Sequence, residues 1–196
     1  MTIRKIAQLG EPVLRQRARE LVREELTLPR VSSLVEDMIE TMHDANGAGL
    51  AAPQVYESVR LVVIEVNAND RYPDVEPIPL TVLVNPKLTP LVAGTPRALA
   101  DEDAISVYEG CLSVTGLRGR VRRPRVVRVE ALDLQGKALD FVWEGFHAAV
   151  VQHEVDHLDG TLFVDRADPL TLTFLREYER HVPAERRIVD AKKAVA

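Results

Sequence analysis

Two histidines four residues apart, with a glutamate directly after the first, stand in His153-Glu154-Val155-Asp156-His157. On a helix such histidines share a face, with Cβ atoms about 5–6 Å apart, so their imidazoles can hold one metal ion. The adjacent carboxylate then sits beside the open coordination position, where it can act as a general base toward water. A His-Glu-x-x-His run also arises in helices by chance. Here the flanking residues are apolar, and two imidazoles and a carboxylate are costly in such surroundings unless paired or ligated. Two ligands do not complete a site. The chain's one cysteine, Cys111 in Glu109-Gly110-Cys111-Leu112-Ser113, is the natural third, and Gly110 allows close backbone approach. A lone cysteine is ordinarily a small buried hydrophobe; the histidine pair reverses that preference. A Cys/His/His set leaves one position for water, the pattern of a catalytic rather than a structural centre. A third segment, Gly47-Ala48-Gly49-Leu50-Ala51-Ala52-Pro53-Gln54, would by itself signify tight packing after a helix. It lacks the Lys-Ser/Thr ending and the preceding strand of a phosphate loop.

These segments need elements to hold them. The histidines fall on a helix over Gly145–Leu158, apolar on most faces and therefore central, closed by Asp159-Gly160. A second helix runs from about Pro29 to Ala45. Its stripe of Val31, Leu34, Val35, Met38, Ile39 and Met42 follows helical spacing. Ser33 with Glu36 suits a capping box, and Asn46-Gly47 stops the helix. Val59–Val66 is a β-branched strand, and Thr81–Val84 a short one ending at Asn85-Pro86. Residues 67–79 and 93–104 read as loops. Pro124–Asp133 and Lys137–Trp143 form a hairpin that turns near Gln135-Gly136. Pro169–Val182 and Ala184–Ala194 are expected to be C-terminal helices. Strands cluster between helices rather than alternating with them, which predicts an α+β fold. Antiparallel or mixed sheets would pack around the central metal-binding helix. Residues 1–168 would form the catalytic domain and 169–196 a helical extension of it.

The 196 residues, 46% hydrophobic and 28% charged, suffice for one domain with a self-supporting core. One cysteine excludes an intrachain disulfide and fits a reducing compartment. No stretch approaches the ~18 consecutive apolar residues of a membrane span, and the start lacks the apolar core of a secretory signal. A net charge of −5 with 5% aromatic residues argues against nucleic acid as the primary ligand.

Taken in order, GAGLAAPQ at 47–54, EGCLS at 109–113 and HEVDH at 153–157 resemble the three motifs of the peptide deformylase family. The resemblance runs from Gly10-Glu11-Pro12-Val13-Leu14 to about Asp165, and the ordered triple is far more specific than His-Glu-x-x-His alone. It implies that Cys111, His153 and His157 bind one divalent metal, most often Fe(II), with Zn(II), Ni(II) or Co(II) able to replace it. Glu154 would be the general base. The Gln54 side-chain amide and the Leu112 backbone N–H would meet the oxyanion. Gly49 would pair with the substrate backbone, and Arg118 would touch the peptide further along. The implied reaction removes formate from the N-terminal formyl-methionine of nascent polypeptides, in the cytoplasm of a bacterium. Ala48 and Ala149 stand where the family carries larger aliphatic residues near the methionine pocket, which suggests a wider pocket. Thr115 also departs from the usual Pro or Asp, with no derivable consequence.

Other residues carry weaker signals. His147 faces away from the histidine pair and reads as a hydrogen-bonded core residue or a support for the ligands. His43 and His181 read as surface residues. The arginines at 118, 120, 122, 123, 125 and 128 read as a solvated face balanced by Asp101–Asp103. Arg186, Arg187, Lys192 and Lys193 make the tail a candidate for transient ribosome contact. A general metallopeptidase is disfavoured by the cysteine, since such enzymes add His or Glu as third ligand. A non-catalytic metal module would lack the base or close the fourth position. An inactive relative of the family is the hardest alternative to exclude, although every residue the chemistry needs is in place.

Overall fold

The computed structural model describes residues 2–67, 76–91, 99–183 and 186–190. A single-turn helix α1 (Arg23–Leu26) leads into α2 (Pro29–Asp44). Pro29 starts α2, since a missing N–H costs nothing in the first turn. The Ser33–Glu36 pair therefore lies inside the helix and is not its cap. Asn46, at φ 50°, ends the helix, and the Gly47 N–H returns to the Met42 carbonyl at 2.8 Å. Val31, Leu34, Val35, Met38 and Met42 are buried as the stripe predicts.

Five strands, β1 (Gly49–Ala51), β2 (Leu61–Val66), β3 (Ile78–Pro90), β6 (Val126–Leu132) and β7 (Ala138–Glu144), form an antiparallel sheet in the order β1-β2-β3-β6-β7. The hairpin of β6 and β7 follows the expected boundaries closely. Strand β3 does not: it continues through Asn85-Pro86, where the short strand was expected to end. Asn85 takes φ 51°, and the register slips between Val84 and Lys87. The Asn85 side chain accepts from the Leu21 N–H at 2.9 Å and donates to the Leu21 carbonyl at 2.8 Å. Asn-Pro thus makes a bulge that ties the N-terminal segment to the sheet, rather than a chain turn.

The second sheet has the order β8-β5-β4-β9, with β4 (Ala104–Cys111), β5 (Val114–Pro124), β8 (Thr173–Phe174) and β9 (Ile188–Asp190). Of the expected loops, residues 68–75 and 92–98 lie outside the described residues. Asp101–Asp103 is a 3-10 turn, and Ala104 already begins β4.

Helix α3 (Gly145–Leu158) lies between the two sheets. Ala148, Val150, Val151, Val155 and Leu158 pack on Val62, Ile64, Leu83, Val127 and Val129 of the first sheet, while Ala149 packs on Ile105 and Val107 of the second. Each fully buried Val or Leu contributes about 1.5–3 kcal/mol by leaving water, so contact on both sides fixes α3 firmly.

After the one-turn helix α4 (Phe163–Arg166), the tail departs from expectation. The Asp168 side chain caps a 3-10 turn at Pro169–Thr171, β8 follows, and among the described residues of the tail the α-helix is confined to Leu175–His181 (α5). No helix forms at Ile188–Asp190, which is strand β9 on the edge of β4; residues 184–185 and 191–196 lie outside the described residues. An unfilled strand edge and the β-branched pair Ile188-Val189 override local helix propensity. Among the described residues, no helix is long and apolar enough to cross a membrane.

Candidate metal centre and active site

Helix α3 brings His153, Glu154 and His157 to one point, and the last residue of β4 brings Cys111 to meet them. The Cys111 sulfur lies 3.2 Å from His157 Nε2, and the three potential ligand atoms lie within 4.8 Å of one another. A tetrahedral centre with metal–sulfur and metal–nitrogen bonds of ordinary length separates such atoms by about 3.5 Å, so the donor set fits a divalent ion. Burial alone would raise the Cys111 thiol, but the facing His157 and His153 hold it well below its ordinary value. It is thus poised to be a thiolate, the form that ligates metals.

Two buried polar atoms at this point have no hydrogen-bond partner among the described residues: Glu154 Oε2 and His157 Nδ1. An unpartnered carboxylate oxygen beside three candidate ligands has the chemistry of a general base toward water. Burial lifts Glu154 to about 6, against the pull of the two histidines. Gly49 makes room for it, because a Cβ there would lie 2.5 Å from Glu154 Oε1. The first glycine-rich motif is therefore shaped by the third.

Gln54 is locked by its own loop. Its Oε1 accepts from the Ala51 N–H at 2.8 Å, which turns Nε2 toward Ser113 Oγ at 3.1 Å and the Cys111 sulfur at 3.6 Å. The Ser113 N–H also donates to that sulfur at 3.3 Å. The amide is thus a donor fixed beside the ligands.

A cavity of about 240 Å³ opens over the centre. Gly49, Gln54, Cys111, Leu112, His153 and Glu154 line its base, and Arg118 stands at its side. Ala48, Phe146, Ala149 and Val150 add apolar side chains to its lining. Every expected site residue lines this cavity except His157, which is buried behind it. Between Gly119 and Val114, strand β5 carries extra residues, with Gly116 at φ 76°. This slack lets Arg118 fold across Gly110, where a Cβ would lie 2.0 Å from the Arg118 guanidinium.

The support of His153 is the feature that sequence reasoning missed. His153 Nδ1 donates to Glu109 at 2.8 Å, which leaves Nε2 for a metal. Arg123 grips both Glu109 oxygens at 2.5 and 2.9 Å and reaches Asp156 at 2.8 Å. Arg166 closes on Asp156 with two further bonds of 2.7 Å. Burial opposes the charge on Glu109, but Arg123 and His153 bring it down to about 2. Arg123 is only 3% exposed, so the arginine run is not one solvated face. Arg122 does pair with Asp101 at 2.7 Å, as the solvated reading expects, whereas Arg123 and Arg125 are buried. The one local signal was the position of Glu109, two residues before Cys111, the spacing that keeps strand side chains on one face.

The remaining histidines stand apart. His147, half-buried, bonds the Glu76 carbonyl at 2.8 Å and meets the Trp143 ring edge-on, hydrogen-bonded as expected but not to the candidate ligands. His43 pairs with Glu65, and His181 with Glu177 at 3.3 Å.

A family model described as polypeptide deformylase matches residues 3–172, so α5 and β9 lie beyond the matched region. Peptide deformylase 1 of Nitrosomonas europaea is 42% identical over 90% of this chain and 91% of its own. The peptide deformylase of Leptospira biflexa is 39% identical over 97% of this chain and 100% of its own. A Met-Ala-Ser-bound class I type b peptide deformylase from Acinetobacter baumannii aligns with a TM-score of 0.76 at 38% identity, covering 84% of this chain and 98% of its own.

Proposed function

The chain belongs to the polypeptide deformylase family, and from that premise we propose a role for each residue of its cavity. The reaction is removal of the formyl group from the N-terminal formyl-methionine of new polypeptides, with release of formate. The observation that carries the reading is the meeting of Cys111, His153 and His157 beside the unpartnered Glu154 oxygen.

Cys111, His153 and His157 are the residues that would hold the metal. When bound, a divalent ion lowers the pKa of water and polarises the formyl oxygen. Glu154 takes the proton of the attacking water and delivers it to the departing amine, as the C–N bond breaks and formate forms. The Gln54 amide and the Leu112 N–H receive the negative charge that builds on the formyl oxygen. Gly49 pairs with the substrate backbone, and Arg118 meets the peptide downstream. Fe(II) is the native ion in this reading, and Zn(II), Ni(II) or Co(II) can take its place, because one thiolate and two imidazoles accept all four. Protein purified anaerobically with Fe(II) should release formate from formyl-Met-Ala-Ser; metal-loaded protein that releases none would reject the assignment.

Glu154 must be ionised to work. Burial sets it near 6 and a bound cation draws it lower, so the acid limb of kcat/KM should lie at or below pH 6. Activity is then complete above that limb and lost as pH falls through it. A limb well above pH 6 in a pH-rate profile would assign it to another group.

Ala48 and Ala149 widen the methionine pocket in this reading. Ala149 also packs on Ile105 and Val107, so enlarging it would disturb the core, and position 48 is the cleaner one to change. Ala48→Ile should raise the preference for formyl-Met over formyl-Phe peptides by about tenfold or more, since a methylene in such a pocket weighs ~1–3 kcal/mol. An unchanged ratio of kcat/KM values would remove position 48 from the pocket.

A substrate made on ribosomes places the enzyme in the bacterial cytoplasm, with the tail as a transient ribosome contact. Lys192 and Lys193 lie outside the described residues, while the Arg186 carbonyl and the Arg187 side chain are tied into the fold. The informative truncation therefore falls after Asp190, since a cut at 183 would also remove β9. Co-sedimentation with ribosomes should weaken on that truncation, and identical sedimentation would exclude the contact.

A further inference from the structure

The edge of β4 is divided between two occupants. Strand β9 holds its first half, with Ile105 opposite Asp190, Ser106 opposite Val189 and Val107 opposite Ile188. The last bond of this ladder runs from the Tyr108 N–H to the Arg187 carbonyl at 2.9 Å. The chain then leaves the edge, because the Arg186 N–H turns back to the Pro183 carbonyl at 2.9 Å. In an antiparallel strand alternate residues present their main-chain groups to the same neighbour. Gly110, two residues past Tyr108, therefore offers its N–H and C=O to the edge that β9 has vacated, and it does so inside the cavity.

Strand β4 runs toward Cys111. A peptide whose formyl group lies beside Cys111 and Glu154, and whose chain follows this edge, must run antiparallel to it. Its methionine then falls opposite Gly110 and its second residue opposite Glu109. Its third residue meets the end of β9. The segment standing there is well anchored: Arg120 lies 4.7 Å over the Tyr108 ring and donates to the Arg186 carbonyl at 2.9 Å. Arg187 lies 5.2 Å over Tyr178, whose ring sits 5.4 Å from Tyr108. Leu175, at the start of α5, lines the same cavity. The Arg186 side chain is exposed and forms no ion pair among the described residues.

We propose that this C-terminal segment is the far wall of the substrate groove, with β9 limiting backbone pairing to the first two residues and Arg186 selecting a carboxylate side chain at the third. The proposal rests on the deformylase reading and assigns a recognition role to a segment beyond the family match. An exposed charge pair has a modest effect, so the selection is about threefold, carried by KM and weakened by salt.

The experiment uses formyl-Met-Ala-Glu, formyl-Met-Ala-Gln and formyl-Met-Ala-Lys, all amidated so that the terminal carboxylate cannot stand in for a side chain. The metal-loaded full-length enzyme should prefer Glu over Gln over Lys, with the spread in KM and narrowed at 0.5 M salt. Arg186→Glu should invert the order. Val189→Pro, which removes an N–H from the β9 ladder, should flatten it. A spread shared by the wild type and both variants, or a wild type preferring Lys, overturns the proposal while leaving the deformylase assignment intact. A wild type inactive on all three peptides overturns both.

Discussion

Glu154→Gln should lower formate release from formyl-Met-Ala-Ser by about 10²- to 10⁴-fold, the range supplied by a positioned general base. At ~1.4 kcal/mol per factor of ten, that is roughly 3–5 kcal/mol of transition-state stabilisation. The substitution keeps the shape that fits over Gly49, where there is no room for a Cβ, so the fold has no reason to change. It also leaves Cys111, His153 and His157 in place. What it removes is an ionisable oxygen that is buried and unpartnered beside the ligands. The measurement pairs kcat with metal content by elemental analysis. A collapse in kcat at full metal occupancy identifies Glu154 as the base. A variant that keeps more than a tenth of wild-type activity would move that role to another group, and one that loses its metal would recast Glu154 as a support of the centre.

The site divides into what a local pattern encodes and what only packing creates. His153 and His157 were legible because four residues is a fixed distance on any helix. Gln54, Cys111 and the cavity-lining glycines were legible because short motifs carry them. The joint role of Glu109 and Asp156, which those motifs contain, with Arg123, which they do not, was not legible. Their contacts join residues 14 and 33 positions apart, and depend on how β4 pairs with β5 and on which face of α3 meets that sheet. A buried arginine among five others of the same run has no compositional signature. The same holds for the fold: the α2 stripe and the β6–β7 hairpin are written in periodicity and turn residues. By contrast, β9 exists because β4 offers an edge, and the bulge at Asn85 exists because Leu21 lies beside it. A stretch such as Ala184–Ala194, rich in good helix formers, gives no sign of the strand it partly becomes.

That hidden cluster carries the second large expectation. Arg123→Met should cost about 3–5 kcal/mol, because it strips a buried carboxylate of its partner rather than merely deleting a pair. Asp156 would keep Arg166, but Glu109 would retain, among the described residues, the His153 N–H and no arginine. For a chain of this size the loss corresponds to roughly 6–20 °C in Tm. Metal affinity should fall with it, by about 10- to 100-fold, since His153 is aimed through Glu109 and a histidine without its outer partner binds less well. The two effects can be separated. Adding Glu109→Gln to Arg123→Met removes the stranded charge, so stability should recover in part. The affinity should not recover fully, because a neutral amide is a weaker acceptor for the His153 N–H than the carboxylate it replaces. A single variant that melts within 2 °C of the wild type would show that Arg123 does not neutralise Glu109. A double variant that binds metal as the wild type does would show that His153 needs no charged partner to hold its place.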